Sequence, residues 1–294
     1  DLFYGYYNQW HAHTYYTHLF RNSKKVELNG RYTHHAIFDE TIKFIKKNKN
    51  KPFFLYCPWT PPHAAYQIPE DEPAWKMYKD KPWPHDARVA AAMDTMMDRH
   101  VGEISALLKK LGIYQNTLMF FTSDNGAAKR FDGIHNSSGV MQGKKRSLNE
   151  GGIRVPMVVR WPGKIKAGRV SSHPWYFPDV MPTFAEIGGV STEVPEDIDG
   201  ISILPTLLDK EVQKQHEYMF WQYGVRAVRS GKWKGIGKGG HLYLYDLSKD
   251  IEEKNDLSSK HPEIAARMKK YITIGYREPR SQKDDGKYTG KDKK

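Results

Sequence analysis

The stretch NTLMFFTSDNGA, residues 116–127, decides how this chain folds, because an apolar run ends there abruptly in a polar turn. A strand that is apolar along its whole length, rather than at alternate positions, is typical of the buried centre of a sheet covered by helices. Asp124 and Asn125 follow that strand directly. Ligands of open parallel sheets bind beyond the carboxyl ends of the strands. The stretch therefore predicts both a buried strand and the position of a site.

Two further apolar segments indicate more strands of the same sheet. PFFLYC predicts a strand at about residues 53–57, which Pro58 ends, and VPMVVRWPG predicts another within residues 155–163. Between the first two strands, residues 86–111 carry apolar side chains at helical spacing, which predicts a long helix. The order strand, helix, strand predicts an α/β fold with a mostly parallel sheet between helices.

The sequence pattern divides the chain into three predicted parts. Residues 1–205 form the α/β core, which opens with a Tyr- and His-rich stretch, residues 1–35, that we interpret as a long loop. Residues 206–281 change to short strands followed by a helix at 262–274, a pattern typical of a small antiparallel sheet carrying one helix. Residues 282–294 interleave Lys with Asp, which predicts a charged flexible tail.

The composition is that of a globular protein with a basic surface. Of the 294 residues, 39% are hydrophobic, 13% aromatic and 27% charged, which excludes a disordered or fibrous chain. The 46 Lys and Arg residues exceed the 34 Asp and Glu residues by 12, which favours polyanionic partners such as sulfated or phosphorylated glycans or nucleic acid. The basic residues are scattered, however, which argues against a specific nucleic-acid partner. No stretch approaches the roughly 18 apolar residues of a membrane span, and no export signal is present.

Three polar features suggest a site that binds an anion. Asp124 and Asn125 offer hard oxygen ligands, which suit Ca²⁺ or Mg²⁺ better than zinc. His63 follows the first predicted strand, just as Asp124 follows the second, so both belong to the same edge of the predicted sheet. Lys144 and Lys145 precede a Glu-Gly-Gly, and one of them could neutralise a bound oxyanion. Each feature taken alone has a plainer interpretation as a turn, a loop histidine or a solvated loop. Their occurrence in this order favours the site.

The chain resembles the formylglycine-dependent sulfatases of the alkaline phosphatase superfamily, in particular the bacterial arylsulfatase A-like branch. The matching motifs extend from the start of the chain to about residue 275. They are PFFLYCPWTPPHAAY (52–66), TSDNGA (122–127), GKKRSLNEGGIRVPMVVRWPGKIKAG (143–168), DVMPTFAEIGG (179–189) and the segment from AVRSGKWKGI to SKDIEEKNDL (227–257).

The resemblance implies a role for each candidate residue. Asp124 and Asn125 correspond to two of the ligands of the active-site Ca²⁺ or Mg²⁺. Lys145, five residues before the Glu of EGG, corresponds to the lysine that contacts the sulfate ester. His63 corresponds to the histidine that contacts the sulfate and helps to protonate the leaving alcohol. Asn149 departs from the family pattern, which usually has Tyr before EGG.

The family's nucleophile motif is absent from these 294 residues. The family uses a Cys or Ser in C/S-x-P-x-R, which is oxidised to formylglycine, together with an N-terminal Asp pair and a Lys-x-His segment between the nucleophile and the His63 position, and none of these occurs here. Cys57, the only cysteine, lies in CPWTP without the Arg, and we expect it to pack in the core. It excludes an intramolecular disulfide and a cysteine-cluster zinc site. The chain therefore looks like the C-terminal two-thirds of a sulfatase, and we expect it to be inactive alone.

The resemblance also implies a sulfate ester substrate and a periplasmic or secreted location. The substrate class is a sulfated carbohydrate or an aryl sulfate. We expect His11, His13 and His135 to contact a sulfated sugar, because they accompany aromatic residues that could stack on sugar rings. The alternative is that these residues only pack against the domain.

Two other functions stay open at this point. A metal with nearby cations would also serve a phosphatase or phosphodiesterase of the same superfamily. A basic glycan- or nucleic-acid-binding protein without catalytic activity would also explain the net charge. The sequence does not indicate an oligomeric state.

Overall fold

The computed structural model describes residues 1–278, which fall into two compact units. Unit 1 contains Asp1–Leu118 together with the short segments Gly133–His135 and Trp161–Gly163. Unit 2 contains Met119–Asp132, Asn136–Arg160 and the described residues from Lys164 to 278. The boundary predicted near residue 205 stays a prediction, and the predicted tail, residues 282–294, lies outside the described residues.

Unit 1 is mainly helical and also carries one small sheet. Strands β1, β2 and β3 pair antiparallel in that order. The interpretation of residues 1–35 as a loop is therefore wrong in part, because its short strands showed no apolar period. The elements of this unit are β1 Tyr4–Gly5, α1 Gln9–Ala12, β2 Leu19–Arg21, β3 Lys24–Val26, α2 Thr33–Asn48, α3 Pro73–Tyr78, α4 His85–Lys110 and a 3-10 turn Tyr114–Asn116.

Helix α4 matches the long helix predicted for residues 86–111. Its inward face carries Val89, Met93 and Met96, all almost fully buried. These side chains pack with Tyr15 and Tyr32 to form the core of unit 1. Burial of such side chains stabilises the unit by roughly 1.5–3 kcal/mol each.

The buried strand predicted at residues 53–57 is wrong. Alternate side chains of the segment are half-buried, but it has no hydrogen-bonded strand neighbour among residues 1–278. Phe54 and Tyr56 are 69% and 74% exposed. Apolar composition identifies a segment suited to a sheet, but a strand also needs a partner for its backbone groups. Cys57 lies partly buried beside Thr41 of α2, and burial raises the pKa of its thiol.

Unit 2 begins with a two-stranded antiparallel sheet. Strand β4 pairs with β5 in a register that places Phe121 opposite Val158. Every strand pair between described residues is antiparallel, so the predicted parallel pairing does not occur among them. Apolar composition indicates burial but does not specify a strand's direction. The elements up to residue 207 are β4 Met119–Thr122, α5 Glu150–Ile153, β5 Met157–Arg160, α6 Val180–Gly188, α7 Leu204–Leu207 and 3-10 turns at Lys129–Phe131, Phe177–Asp179 and Ser191–Glu193.

The predicted C-terminal antiparallel sheet with one helix is confirmed. Strands β6 Met219–Tyr223, β7 Val225–Ser230, β8 Trp233–Lys238 and β9 His241–Asp246 pair in that order, and helix α8 spans Pro262–Ile274. One face of the sheet packs against α8, with Met268 lying directly over Gly235.

The opposite face packs on Leu148, just before α5. This sheet therefore packs beside the Glu-Gly-Gly segment.

No helix among residues 1–278 is long and apolar enough to cross a membrane.

Candidate active site

The Asp-Asn-Gly turn directly follows strand β4 and presents oxygen atoms. Asn125 donates its Nδ2 to the Gly126 carbonyl oxygen at 3.1 Å, which leaves its Oδ1 as an acceptor. Asp124 is exposed, and its carboxylate forms no hydrogen bond or ion pair with any described residue. The turn thus offers a carboxylate and an amide oxygen, which suit a hard cation such as Ca²⁺ or Mg²⁺.

Glycine contacts fix this turn against the Glu-Gly-Gly segment. The Gly126 N–H donates to the Gly152 carbonyl oxygen at 2.9 Å. A Cβ atom at Gly126 would lie 2.0 Å from the Gly151 carbonyl oxygen, so a larger residue would force the two segments apart. A Cβ at Gly151 would in turn lie 2.3 Å from the Gly143 carbonyl oxygen. Gly126 and Gly151 are therefore needed for this close backbone approach.

The two adjacent lysines have different surroundings. The backbone N–H of Lys145 donates to the Ala127 carbonyl oxygen at 2.8 Å, which places Lys145 beside the Asp-Asn-Gly turn. The Lys145 ammonium forms no ion pair with the residues that the structure describes. The Lys144 ammonium lies 3.1 Å from the Asp132 carboxylate. Of the two ammonium groups, only that of Lys144 pairs with a carboxylate among the described residues, and the predicted contact of Lys145 with the sulfate stays a prediction.

A buried ion-pair cluster lies under this loop, and the sequence analysis missed it. The Lys234 ammonium in β8 is fully buried, 2.8 Å from Glu150 Oε1 and 2.9 Å from Glu253 Oε1. Burial alone would raise the pKa of Glu150, but the charge of Lys234 outweighs it and lowers the pKa. No local sequence signal identifies the cluster, because its three members lie in β8, at the start of α5 and after β9.

In unit 1 the structure brings His13 and His63 together. Their rings stack with centroids 4.6 Å apart and planes 10° apart. The Ala65 N–H donates to the His13 carbonyl oxygen, and the Tyr15 hydroxyl donates to the His63 carbonyl oxygen. His63 Nδ1 lies 2.8 Å from the Ala64 carbonyl oxygen, which can only accept, so Nδ1 carries a proton. This contact engages Nδ1 of His63 and not Nε2, and the predicted role of His63 toward a substrate stays a prediction.

The other two predicted substrate residues occupy different places in unit 1. His11 packs 4.3 Å from the ring of His18, and both burial and the charge of His18 lower the pKa of His11. His135 packs edge-on to Trp83 at 5.3 Å, and burial lowers its pKa. These packings do not test the predicted roles in substrate binding, which stay predictions.

A metal set made only of charged or imidazole ligands is not present in the part of the chain described. Among residues 1–278, no group of three or more His, Cys, Asp and Glu side chains could hold a metal ion. Asp124 and Asn125 still fit a hard cation by their chemistry, as two of the roughly six to eight oxygen ligands that Ca²⁺ takes.

Comparison with known proteins identifies the class to which this fold and site belong. The sequence model of the sulfatase family matches residues 3–190, and that of the N-sulphoglucosamine sulphohydrolase C-terminal region matches residues 142–274. The chain therefore belongs to the sulfatase family, and the resemblance drawn from its motifs is confirmed.

Individual relatives agree with this assignment. The chain is 30% identical over 267 residues to an N-acetylgalactosamine-6-O-sulfatase of Bacteroides thetaiotaomicron, covering 80% of this chain and 49% of the relative. It is 34% identical over 213 residues to the steryl-sulfatase of Mus musculus, covering 67% of this chain and 32% of the relative. The chain thus spans half or less of the length of these curated relatives.

A solved structure confirms the fold class. The crystal structure of Ps i-CgsB in complex with k-i-k-neocarrahexaose superposes with a TM-score of 0.75 at 30% identity. The match covers 88% of this chain and 58% of that chain. The predicted alkaline phosphatase-like α/β fold with a small C-terminal subdomain is therefore correct at the level of fold class.

Proposed function

We propose that the protein is a sulfuric ester hydrolase that removes sulfate from a sulfated carbohydrate, and that this chain holds part of its active site. The observation that carries the proposal is the packing inside unit 2. Backbone hydrogen bonds from Lys145 and Gly126 hold three segments in one assembly: the lysine loop (residues 143–149), the Asp-Asn-Gly turn and the Glu-Gly-Gly segment. The Lys145 ammonium and the oxygen atoms of Asp124 and Asn125 that could bind a cation thus belong to neighbouring backbone segments.

The chemistry of a sulfate ester suits these groups. Lys145 would neutralise negative charge on the sulfuryl oxygens, which increases as the ester bond breaks. His63, protonated on Nε2, would donate that proton to the leaving alcohol oxygen. Asp124 and Asn125 would hold Ca²⁺ or Mg²⁺, and such an ion would supply further positive charge to the sulfate.

The nucleophile belongs to the proposal as well. None of the 294 residues lies in a C/S-x-P-x-R motif. We therefore propose that a formylglycine from outside this sequence provides it, and that the chain alone releases no sulfate. A periplasmic or secreted location is part of the same proposal and can be tested by cell fractionation.

A carbohydrate substrate is supported by the relatives, which differ among themselves. One relative is named an N-acetylgalactosamine-6-O-sulfatase, and Ps i-CgsB is described in complex with a neocarrahexaose. The mouse relative, however, is named a steryl-sulfatase. His11, His13 and His135 are proposed to favour the sugar, because aromatic side chains beside them could stack on sugar rings.

The test is release of inorganic sulfate by the full-length protein. Substrates would be N-acetylgalactosamine 6-sulfate, a carrageenan oligosaccharide, a steryl sulfate and 4-nitrophenyl sulfate, with 4-nitrophenyl phosphate for comparison. We expect release from a sulfated sugar, its loss after chelation of divalent cations, and its loss in Lys145→Ala.

Two results would contradict the proposal. Hydrolysis of phosphate esters without sulfate release would indicate a phosphatase or phosphodiesterase of the same superfamily. Salt-dependent heparin binding without any hydrolysis would indicate a basic binding protein.

A further inference from the structure

The Lys234 cluster joins parts of unit 2 that are far apart in sequence. Lys234 lies in β8, Glu150 begins α5, and Glu253 follows β9. All three side chains are almost completely buried, at 0%, 3% and 0% exposure. The cluster holds two carboxylates around one ammonium, with the half-exposed Arg154 guanidinium 3.4 Å from Glu150 Oε2.

Glu253 attaches both ends of the lysine loop to the C-terminal subdomain. Its Oε2 accepts the backbone N–H of Glu150 at 2.7 Å, and its carbonyl oxygen accepts Nε2 of Gln142 at 3.1 Å. Lys145 lies between these two attachment points. Glu253 makes both contacts from a left-handed conformation, with φ at 52°. Such a conformation is uncommon for a residue other than glycine and needs support from its surroundings.

Hydrogen bonds connect the lysine loop to the Asp-Asn-Gly turn, which carries the oxygen ligands. The Gly151 N–H donates to the Gln142 carbonyl oxygen at 2.6 Å, so the two ends of the loop are also joined to each other. From there, the hydrogen bonds of Lys145 to Ala127 and of Gly126 to Gly152 reach the Asp-Asn-Gly turn. A shift of Glu150 would therefore move both the lysine and the turn.

We propose that Lys234 is a positioning residue for Lys145 and the Asp-Asn-Gly turn, acting through Glu150 and Glu253. The inference rests on the proposed function for its catalytic consequence. A buried ion pair adds little stability compared with apolar packing, because desolvation offsets the attraction. The cluster instead fixes positions, because the place of the ammonium determines where both carboxylates lie.

The first test measures loop mobility and needs no activity. Hydrogen exchange with mass spectrometry is followed in residues 143–149 and in α8 for Lys234→Met and for Glu253→Gln. Lys238→Met is the matched control, since Lys238 is an exposed lysine at the other end of β8. We expect exchange in 143–149 to rise on the order of 30-fold in the first two variants, as for loss of a buried coupled contact. Helix α8 and the control should not change.

Glu253→Gln keeps the test valid if Lys234→Met does not fold. One oxygen of the Glu253 carboxylate accepts the Glu150 N–H and the other lies beside the Lys234 ammonium. An amide has a single oxygen, so it must turn its NH₂ toward one of these donors and lose that contact. The substitution also removes one of the two buried negative charges. Unchanged exchange in 143–149 in a folded variant would overturn the proposal.

The second test separates positioning from folding by a double-mutant cycle in the full-length protein. If Lys234 acts through Lys145, Lys234→Met should lower kcat on the order of 30-fold in the parent but only about threefold in a Lys145→Ala background. Equal losses in both backgrounds would refute the positioning role. Failure to release sulfate from any ester would contradict the proposed function, whereas the exchange result would still test the structural inference.

Discussion

Acid should weaken unit 1 through a pair of buried histidines. His34 in α2 and His100 in α4 lie nitrogen to nitrogen, with Nε2 and Nδ1 3.0 Å apart, and both are at most 2% exposed. The contact needs at least one neutral ring to accept the proton. Burial, and then the neighbouring cations, lower the pKa of both histidines, that of His100 from 6.5 to about 4.

The expected size follows from linkage between protonation and folding. Each unit of difference in pKa between the folded and unfolded states contributes about 1.4 kcal/mol, so His100 alone contributes about 3 kcal/mol. Because the folded-state pKa is lowered, the unfolded chain binds the extra proton. Stability is therefore fully present above pH 6.5 and is lost as the pH falls from 6.5 to about 4. His34 acts in the same direction.

The measurement is urea unfolding between pH 7.5 and 4, together with hydrogen exchange in α2 and α4 to isolate unit 1. In His100→Phe, an apolar ring replaces the imidazole that stacks on Phe38, so the slope between pH 6.5 and 4 should become shallower. His85→Gln is the control, because His85 is exposed. A parent protein whose α4 exchange protection is the same at pH 7 and pH 4.5 would refute the reasoning.

Three further predictions concern the candidate site. Lys145→Ala should lower kcat on sulfate esters by about a hundredfold or more, whereas Lys144→Ala should be mild, since Lys144 pairs with Asp132; steady-state kinetics showing equal losses would mean that the register is wrong. Calorimetry should show weak Ca²⁺ binding to this chain, because the chain supplies only some of the roughly six to eight ligands. Asp124→Ala should abolish that binding. Tight stoichiometric binding would contradict the claim that ligands are missing from this chain. Alanine at His13 or His135 should reduce kcat/KM on a sulfated oligosaccharide far more than on 4-nitrophenyl sulfate, and parallel losses would end the specificity hypothesis.

Local sequence pattern was sufficient where an element's own residues determine it. Helix α4 was predicted within one residue of its ends, because its apolar side chains recur at helical spacing over many turns. The C-terminal sheet was predicted because alternating strands and Gly-containing turns each have a local signature. Strands β1–β3, with two or three residues each, were too short to show any period.

Pattern failed where a segment's state depends on its neighbours. Residues 53–57 have the composition of a central strand, yet Phe54 and Tyr56 face solvent and no described strand pairs with them. Strand β4 shows the same limit, since its antiparallel pairing with β5 is set by partner and register rather than by composition. Composition reports what a segment could bury, whereas the rest of the chain determines what it does bury.

The Lys234 cluster shows why part of the candidate site could not be predicted. Lys234 is 84 residues from Glu150, and no local spacing rule joins them. The local sequence also suggests an ordinary surface position for Lys234 and for Glu253. Lys234 could be a strand lysine on the solvent side, and Glu253 could be one acid in a charged turn. Only the register of the sheet shows that Lys234 does not face solvent, because it places Lys234 on the face that also carries Ala227 and Ile236. Once that face is known to be buried, an unpaired ammonium there is excluded by its desolvation cost, and a carboxylate partner is required. Glu150 therefore does more than begin helix α5, because it also links the C-terminal sheet to the lysine loop.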